Sequence, residues 1–133
     1  MGALSNYYGE RTLNNLFNGQ PMTPPSSLWL ALYETDPEAA NTGVEVTGDG
    51  YARVRIASVT YAGLVGGKMT VSNSSKIEFA KAAGPWSQAA YWAVMDAQTG
   101  GNLICKEALA TARTFQEGDI PQFESGDIVI TIE

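Results

Sequence analysis

From Leu28 onward the chain repeats one pattern. Short apolar runs alternate their side chains between two faces, and each is cut off by Gly, Asn, Asp or Pro. Alternation at period two marks a strand lying against a core. Breaks every 8–12 residues or so leave little room for helices and point to many short antiparallel strands. The 133 residues suffice for one domain with its own core. The expected fold is therefore all-β: a β-sandwich or partly closed barrel, jelly-roll or immunoglobulin-like, of about eight strands. A single domain over residues 1–133 is expected, with no internal repeat or linker.

Leu28–Tyr33 is apolar on both faces, with Leu28, Leu30 and Leu32 on one and Trp29, Ala31 and Tyr33 on the other. That suits a central strand. Asp36-Pro37 opens a long loop through Asn41-Thr42-Gly43, with a short helical turn expected at residues 37–40. Residues 44–47 read as a short edge. After the Gly48-Asp49-Gly50 turn, residues 51–59 read as a strand, with Val54 and Ile56 on one side and Tyr51, Arg53 and Arg55 on the other. Gly63, Gly66 and Gly67 read as a break. Further strands are expected at 68–72, 75–80 (Ile77 and Phe79 inward), 88–95, 102–109, 112–115, 120–123 and 128–132.

One helix stands before this. Ser5 is a good N-cap, and Leu4, Tyr8, Thr12, Leu13, Leu16 and Phe17 recur at three- and four-residue spacing. Asn18-Gly19 supplies a left-handed stop. The helix belongs to residues 1–20, and a Pro-rich connector with Pro24 and Pro25 fills 21–27. Its stripe has two uses: to cap the sandwich of its own chain, the reading preferred here, or to dock on a neighbouring subunit.

Composition removes most chemistry. The chain has no His, so imidazole catalysis, His-ligated metal and a His pH switch are excluded. A lone Cys105 gives no intramolecular disulfide and no Cys-rich metal site, and in its strand pattern it reads as a small buried hydrophobe. The net charge of −6 argues against a nucleic-acid backbone partner. Charged residues are only 17%, against about 25% in an average domain, which leans toward a protein packed on other proteins. Residues 1–6 carry no basic n-region of a secretory signal, and Asn6 spoils the myristoylation pattern that Met1-Gly2 suggests. No apolar run is long enough to span a bilayer as a helix. The expectation is a protein made in a cytosol, with no membrane partner.

The near-motifs fail one by one. A phosphate loop ending at Gly67-Lys68 needs Gly where Ala62 stands and a hydroxyl where Met69 stands. Gly48-x-Gly50 needs a third Gly at Arg53. The Asp residues of the turns lack calcium-loop spacing. No metal, no cofactor and no catalytic residue is assigned. Trp29 and Trp92 lie inside strand patterns and read as core. Trp86, after Gly84-Pro85, reads as the most exposed aromatic and the one candidate for stacking on a glycan.

Four phrases in order carry a resemblance. They are the Ala3-Leu4-Ser5-Asn6-Tyr7 helix start, Leu28-Trp29-Leu30-Ala31-Leu32-Tyr33-Glu34-Thr35-Asp36-Pro37, Thr42-Gly43-Val44-Glu45-Val46 leading to Gly48-Asp49-Gly50-Tyr51-Ala52-Arg53, and Trp92-Ala93-Val94-Met95-Asp96-Ala97-Gln98-Thr99-Gly100-Gly101-Asn102-Leu103. Together they resemble a family of small tailed-bacteriophage virion proteins of tail-fibre or capsid-surface (head-fibre or decoration) type. The resemblance implies a non-enzymatic structural subunit of the virion, assembled with other capsid, tail or fibre proteins as a homo-oligomer, with a trimer the common order. It supplies no catalytic residue. Tyr7, Leu13, Phe17, Pro24, Pro25 and Arg53 are the candidate assembly contacts. Arg53 is open to pairing with an acid across the sheet or with a neighbour. The alternative reading is a carbohydrate-binding module of a phage fibre, resting on Trp86.

Overall fold

The computed structural model describes residues 3–132. The Met1-Gly2 pattern lies outside them. In chain order the elements are β1 (Ala3–Leu4), α1 (Asn6–Asn18), β2 (Leu28–Tyr33), β3 (Val54–Ile56), β4 (Val59–Val65), β5 (Lys68–Asn73), β6 (Ile77–Glu78), β7 (Ala89–Met95), β8 (Leu103–Arg113), β9 (Gln122–Phe123) and β10 (Val129–Ile132). They form three antiparallel sheets, ordered β1-β8-β7-β2-β3, β10-β5-β4 and β6-β9. The sheets stay open and do not close into a barrel, which is the sandwich expected from the period-two runs.

β2 and β7 lie side by side at the centre of the largest sheet, with Leu30 opposite Val94 and Leu32 opposite Trp92. That register sends both pairs to one face. There they join Val46, Ile56, Ile77, Phe79, Trp86, Cys105 and Ile128 in the main core. Ala31, Tyr33, Ala93 and Met95 point the other way and form a second cluster with Leu103. A register shift between Val94 and Met95 lets Leu103 and Cys105, two residues apart on β8, face opposite sides. The second face meets the start of α1 and the loop after β2. There Tyr8 Oη donates to Asp96 at 2.7 Å, Tyr33 Oη to Asn41 Oδ1 at 3.1 Å, and the Asn6 N–H to the Ala39 carbonyl at 2.9 Å.

Several boundaries differ from the sequence expectations. The glycine-rich break is not a loop. β4 runs through Gly63 by way of an irregularity between Tyr61 and Gly63, and Gly66-Gly67 is the two-residue turn into β5. Both turn residues have positive φ, 59° and 82°, which glycine adopts without steric cost. The strands expected at 102–109 and 112–115 are one strand, β8. The expected strands at 51–59, 75–80 and 120–123 shrink to β3, β6 and β9. Residues 44–47 make only ladder-like contacts to the end of β2, with Glu34 N–H on the Val44 carbonyl and Val46 N–H on the Leu32 carbonyl. The helical turn expected at 37–40 is absent. Glu38 and Asn41 have φ of 54° and 57°, incompatible with a right-handed helix.

Candidate assembly surfaces

The N-terminal helix forms as the sequence predicts. The Ser5 hydroxyl accepts from the Tyr8 N–H and itself donates to the Leu103 carbonyl, so one side chain caps the helix and ties it to β8. Gly19 ends the helix, with its N–H on the Asn14 carbonyl. Its packing does not follow the preferred expectation. Tyr8 is the one residue of α1 that is buried. Leu13, Leu16 and Phe17 are 59%, 68% and 77% exposed, so they do not cap their own sandwich. The helix is held at its first turn by Ser5 and Tyr8, and this anchorage turns the C-terminal half of the stripe away from the sheet. Tyr7 is exposed at its edge, with the Arg11 guanidinium carbon 3.5 Å from its ring centroid and the Tyr8 ring edge-on at 5.0 Å. In the connector Pro24 is exposed and Pro25 half-buried.

A second apolar surface lies on the β4–β5 hairpin. Val59, Tyr61, Leu64, Val65 and Met69 are all exposed, as is Ile132 at the end of β10. Sequence reading missed this surface because the three glycines suggested a loop. The signal that would have found it is the apolar run from Val59 to Val65, which lacks any charge. β4 has a single strand neighbour, β5, so both its faces and one of its edges lack cover.

Two of the candidate residues prove to be internal. Trp86 is 2% exposed. Its Nε1–H donates to the Asp49 carbonyl at 2.8 Å, and its ring stands edge-on to Tyr51 and Phe115. Gly48 makes this possible: a Cβ there would lie 2.7 Å from Trp86 Cα and 2.8 Å from the Pro85 carbonyl. The loop aromatic thus plugs the sandwich, and the exposed stacking face expected from the sequence is absent.

Arg53 pairs within its own chain. Its Nε and Nη2 meet the two carboxylate oxygens of Glu45 at 2.9 Å each, while Nη1 donates to the carbonyls of Ala97 and Gly100 at 2.9 and 2.8 Å. The side chain is 7% exposed. Tyr51 Oη donates to the same carboxylate at 2.6 Å, and burial followed by this bond pushes its phenol far above the ordinary value. Burial works against the charge on Arg53, but the Glu45 hydrogen bond and charge outweigh it and raise its pKa. The group is a bidentate clamp that holds the loop between β7 and β8 against the segment before β3.

The same loop is fixed from its other end. Burial acts to raise Asp96. Bonds from the Asn102 N–H, the Tyr8 hydroxyl and the Asn102 amide outweigh it and hold the carboxyl below its ordinary value. At the mouth of the 36–42 loop, Lys106 Nζ lies 2.8 Å from Asp36, and that contact, with the Glu38 N–H, lowers the Asp36 carboxyl. Burial pushes the Cys105 thiol up to about 12, so it stays protonated as a core side chain. Among the described residues no cluster of three or more metal-ligating side chains occurs, and no helix is long and apolar enough to cross a membrane.

What the described surface offers is apolar area on α1 and on the β4–β5 hairpin, while Arg53, Tyr51 and Asp96 are hydrogen-bonded within the chain. No curated protein matches the sequence. The family model described as Podophage GP4 fiber I protein gp80 matches residues 3–131, which include α1, the β4–β5 hairpin and every strand but the last residue of β10. The chain therefore belongs to this family of phage fibre proteins and is a component of the virion.

Proposed function

We propose that the chain is a non-enzymatic fibre subunit that works by assembly, with copies of itself and with neighbouring virion proteins. The observation that carries this reading is the exposed stripe Leu13, Leu16 and Phe17 on a helix with one buried residue. A 13-residue helix is marginal in water without packing. Covering three large apolar side chains contributes about 1.5–3 kcal/mol each. A neighbour that buries the stripe therefore stabilises both the helix and the contact. The family supports the setting, a fibre on a phage particle. The homo-oligomer, with three copies, is the order that the resemblance implies. The carbohydrate-binding alternative rested on Trp86, and no accessible face of that residue is left to support it.

The test is incorporation. Phage particles grown with the double variant Leu16→Asp, Phe17→Asp are expected to lose the chain from the particle, as read by mass spectrometry and cryo-electron microscopy. The isolated variant should melt within about 1 kcal/mol of the wild type, since both residues are exposed. Particles carrying the variant at full occupancy would sink the reading.

A further inference from the structure

One exposed face of the β4–β5 hairpin is arranged around a sulfur. Leu64 lies directly opposite Met69 across the hairpin, and Met69 lies directly opposite Ile132 of β10. Residues directly opposite share a face of an antiparallel sheet, so these three form one apolar row across three strands. All three are exposed, Met69 by 49%. Tyr61 stands opposite Val71 and therefore diagonal to Met69. A diagonal neighbour is within reach of an aromatic side chain, and Tyr61 Oη donates to Met69 Sδ at 3.0 Å.

The other described sulfurs are placed differently. Met95 is buried in the second core cluster. Met22 is half-buried in the connector, and its Sδ accepts from Thr12 at 3.9 Å. Cys105 is fully buried. A thioether is a two-electron reductant, and it reacts with a hydroperoxide only where the oxidant reaches a sulfur lone pair. Met69 is the most exposed of the described sulfur-bearing side chains. Its sulfur carries two lone pairs, and oxygen added at one or the other gives one or the other sulfoxide epimer. The Tyr61 hydroxyl occupies one of them.

We propose that Met69 is a site of oxidative modification by a hydroperoxide, and that Tyr61 directs the reaction to one sulfoxide epimer. The lone pair of Sδ that Tyr61 leaves open attacks one oxygen of hydrogen peroxide. The S–O bond forms as the O–O bond breaks. Sulfur gives up two electrons, and the departing oxygen takes the proton of the transferred one and leaves as water. The product places a polar oxygen at the middle of the row formed by Leu64, Met69 and Ile132, so the centre of an apolar surface becomes polar. This chemistry is independent of how the chain assembles, and the isolated chain tests it.

The full chain is exposed to dilute hydrogen peroxide, digested and read peptide by peptide by mass spectrometry, with the urea-unfolded chain as reference. In the folded chain Met69 is expected to oxidise about tenfold or more faster than Met95, a gap that closes in urea. The Met69 sulfoxide peptide is then divided between two methionine sulfoxide reductases, each acting on one epimer. One epimer is expected in about threefold excess or more, the bias that one ordinary hydrogen bond gives. Tyr61→Phe keeps the ring and removes the donor. Met69 should then still oxidise ahead of Met95, while the epimer ratio falls to that of the unfolded chain. Equal rates for Met69 and Met95 in the folded chain would overturn the site. A wild-type epimer ratio equal to that of the unfolded chain, or an excess that Tyr61→Phe leaves unchanged, would overturn the role of Tyr61.

Discussion

β2 and β4 are both apolar strands, Leu-Trp-Leu-Ala-Leu-Tyr and Val-Thr-Tyr-Ala-Gly-Leu-Val, yet their fates are opposite. The last four residues of β2 are buried, whereas six of the seven of β4 are exposed. The difference is one of neighbours. β2 sits between β7 and β3, with core on both faces of its sheet, while β4 is an edge strand bonded to β5 alone. Apolar sequence makes a strand in both cases, and the number of elements packed on it decides whether it becomes core or contact surface. The helix repeats the lesson on a smaller scale, with Tyr8 in and Phe17 out along 13 residues.

The sharpest way to break this contrast is to truncate one residue of each strand system. Trp92→Ala in β7, beside β2, is expected to cost about 3–5 kcal/mol through lost burial and the cavity left behind. Leu64→Ala in β4 should cost no more than about 0.5 kcal/mol in the isolated chain. Urea unfolding followed by fluorescence or circular dichroism measures both, and equal losses would mean that the hairpin packs on its own chain.

Arg53→Met asks next whether the polar clamp belongs with the rigid sheet. It takes the counter-charge from the Glu45 carboxylate, leaving it the Tyr51 hydroxyl, and frees the carbonyls of Ala97 and Gly100. The expected loss is about 3 kcal/mol, toward the lower end for a buried pair because Glu45 is partly exposed. Hydrogen exchange should quicken in residues 96–102 more than in the hairpin. Uniform quickening would show that the clamp acts on the whole sandwich.

The smallest effect concerns the joint between helix and sheet. Ser5→Ala removes both the cap on Tyr8 and the bond to Leu103. A loss of about 1 kcal/mol is expected, with exchange increasing first at the start of α1. A variant as stable as the wild type would mean that Tyr8 and the backbone bonds of Ser5 and Asn6 suffice to hold the helix.

Much of this molecule was legible from residue order. Leu28–Tyr33 and Ala89–Met95 are short, continuously apolar, aromatic-containing runs bounded by turn residues, the pattern of a strand buried on both faces. Ser5 and Gly19 bracket the helix by backbone chemistry that acts within a few residues. The errors arose where local rules met distant ones. Three glycines looked like a break, yet one falls at an irregularity and two form a hairpin turn. Trp86 follows Gly-Pro, a loop signal that is correct for the backbone and silent about the ring, which turns inward because Gly48 leaves room for it. Arg53 could not be assigned a partner before the fold brought Glu45 and the carbonyls around it.

The residue order by itself determined the N-terminal helix, the central strands, and the absence of imidazole chemistry and of an intramolecular disulfide. These depend on side-chain identity and on interactions within a few residues. The tertiary structure alone decided which apolar stripes became core and which stayed outside. Burial depends on how many elements converge on a surface, and sheet order, which joins residues as far apart as Leu4 and Cys105, sets that number.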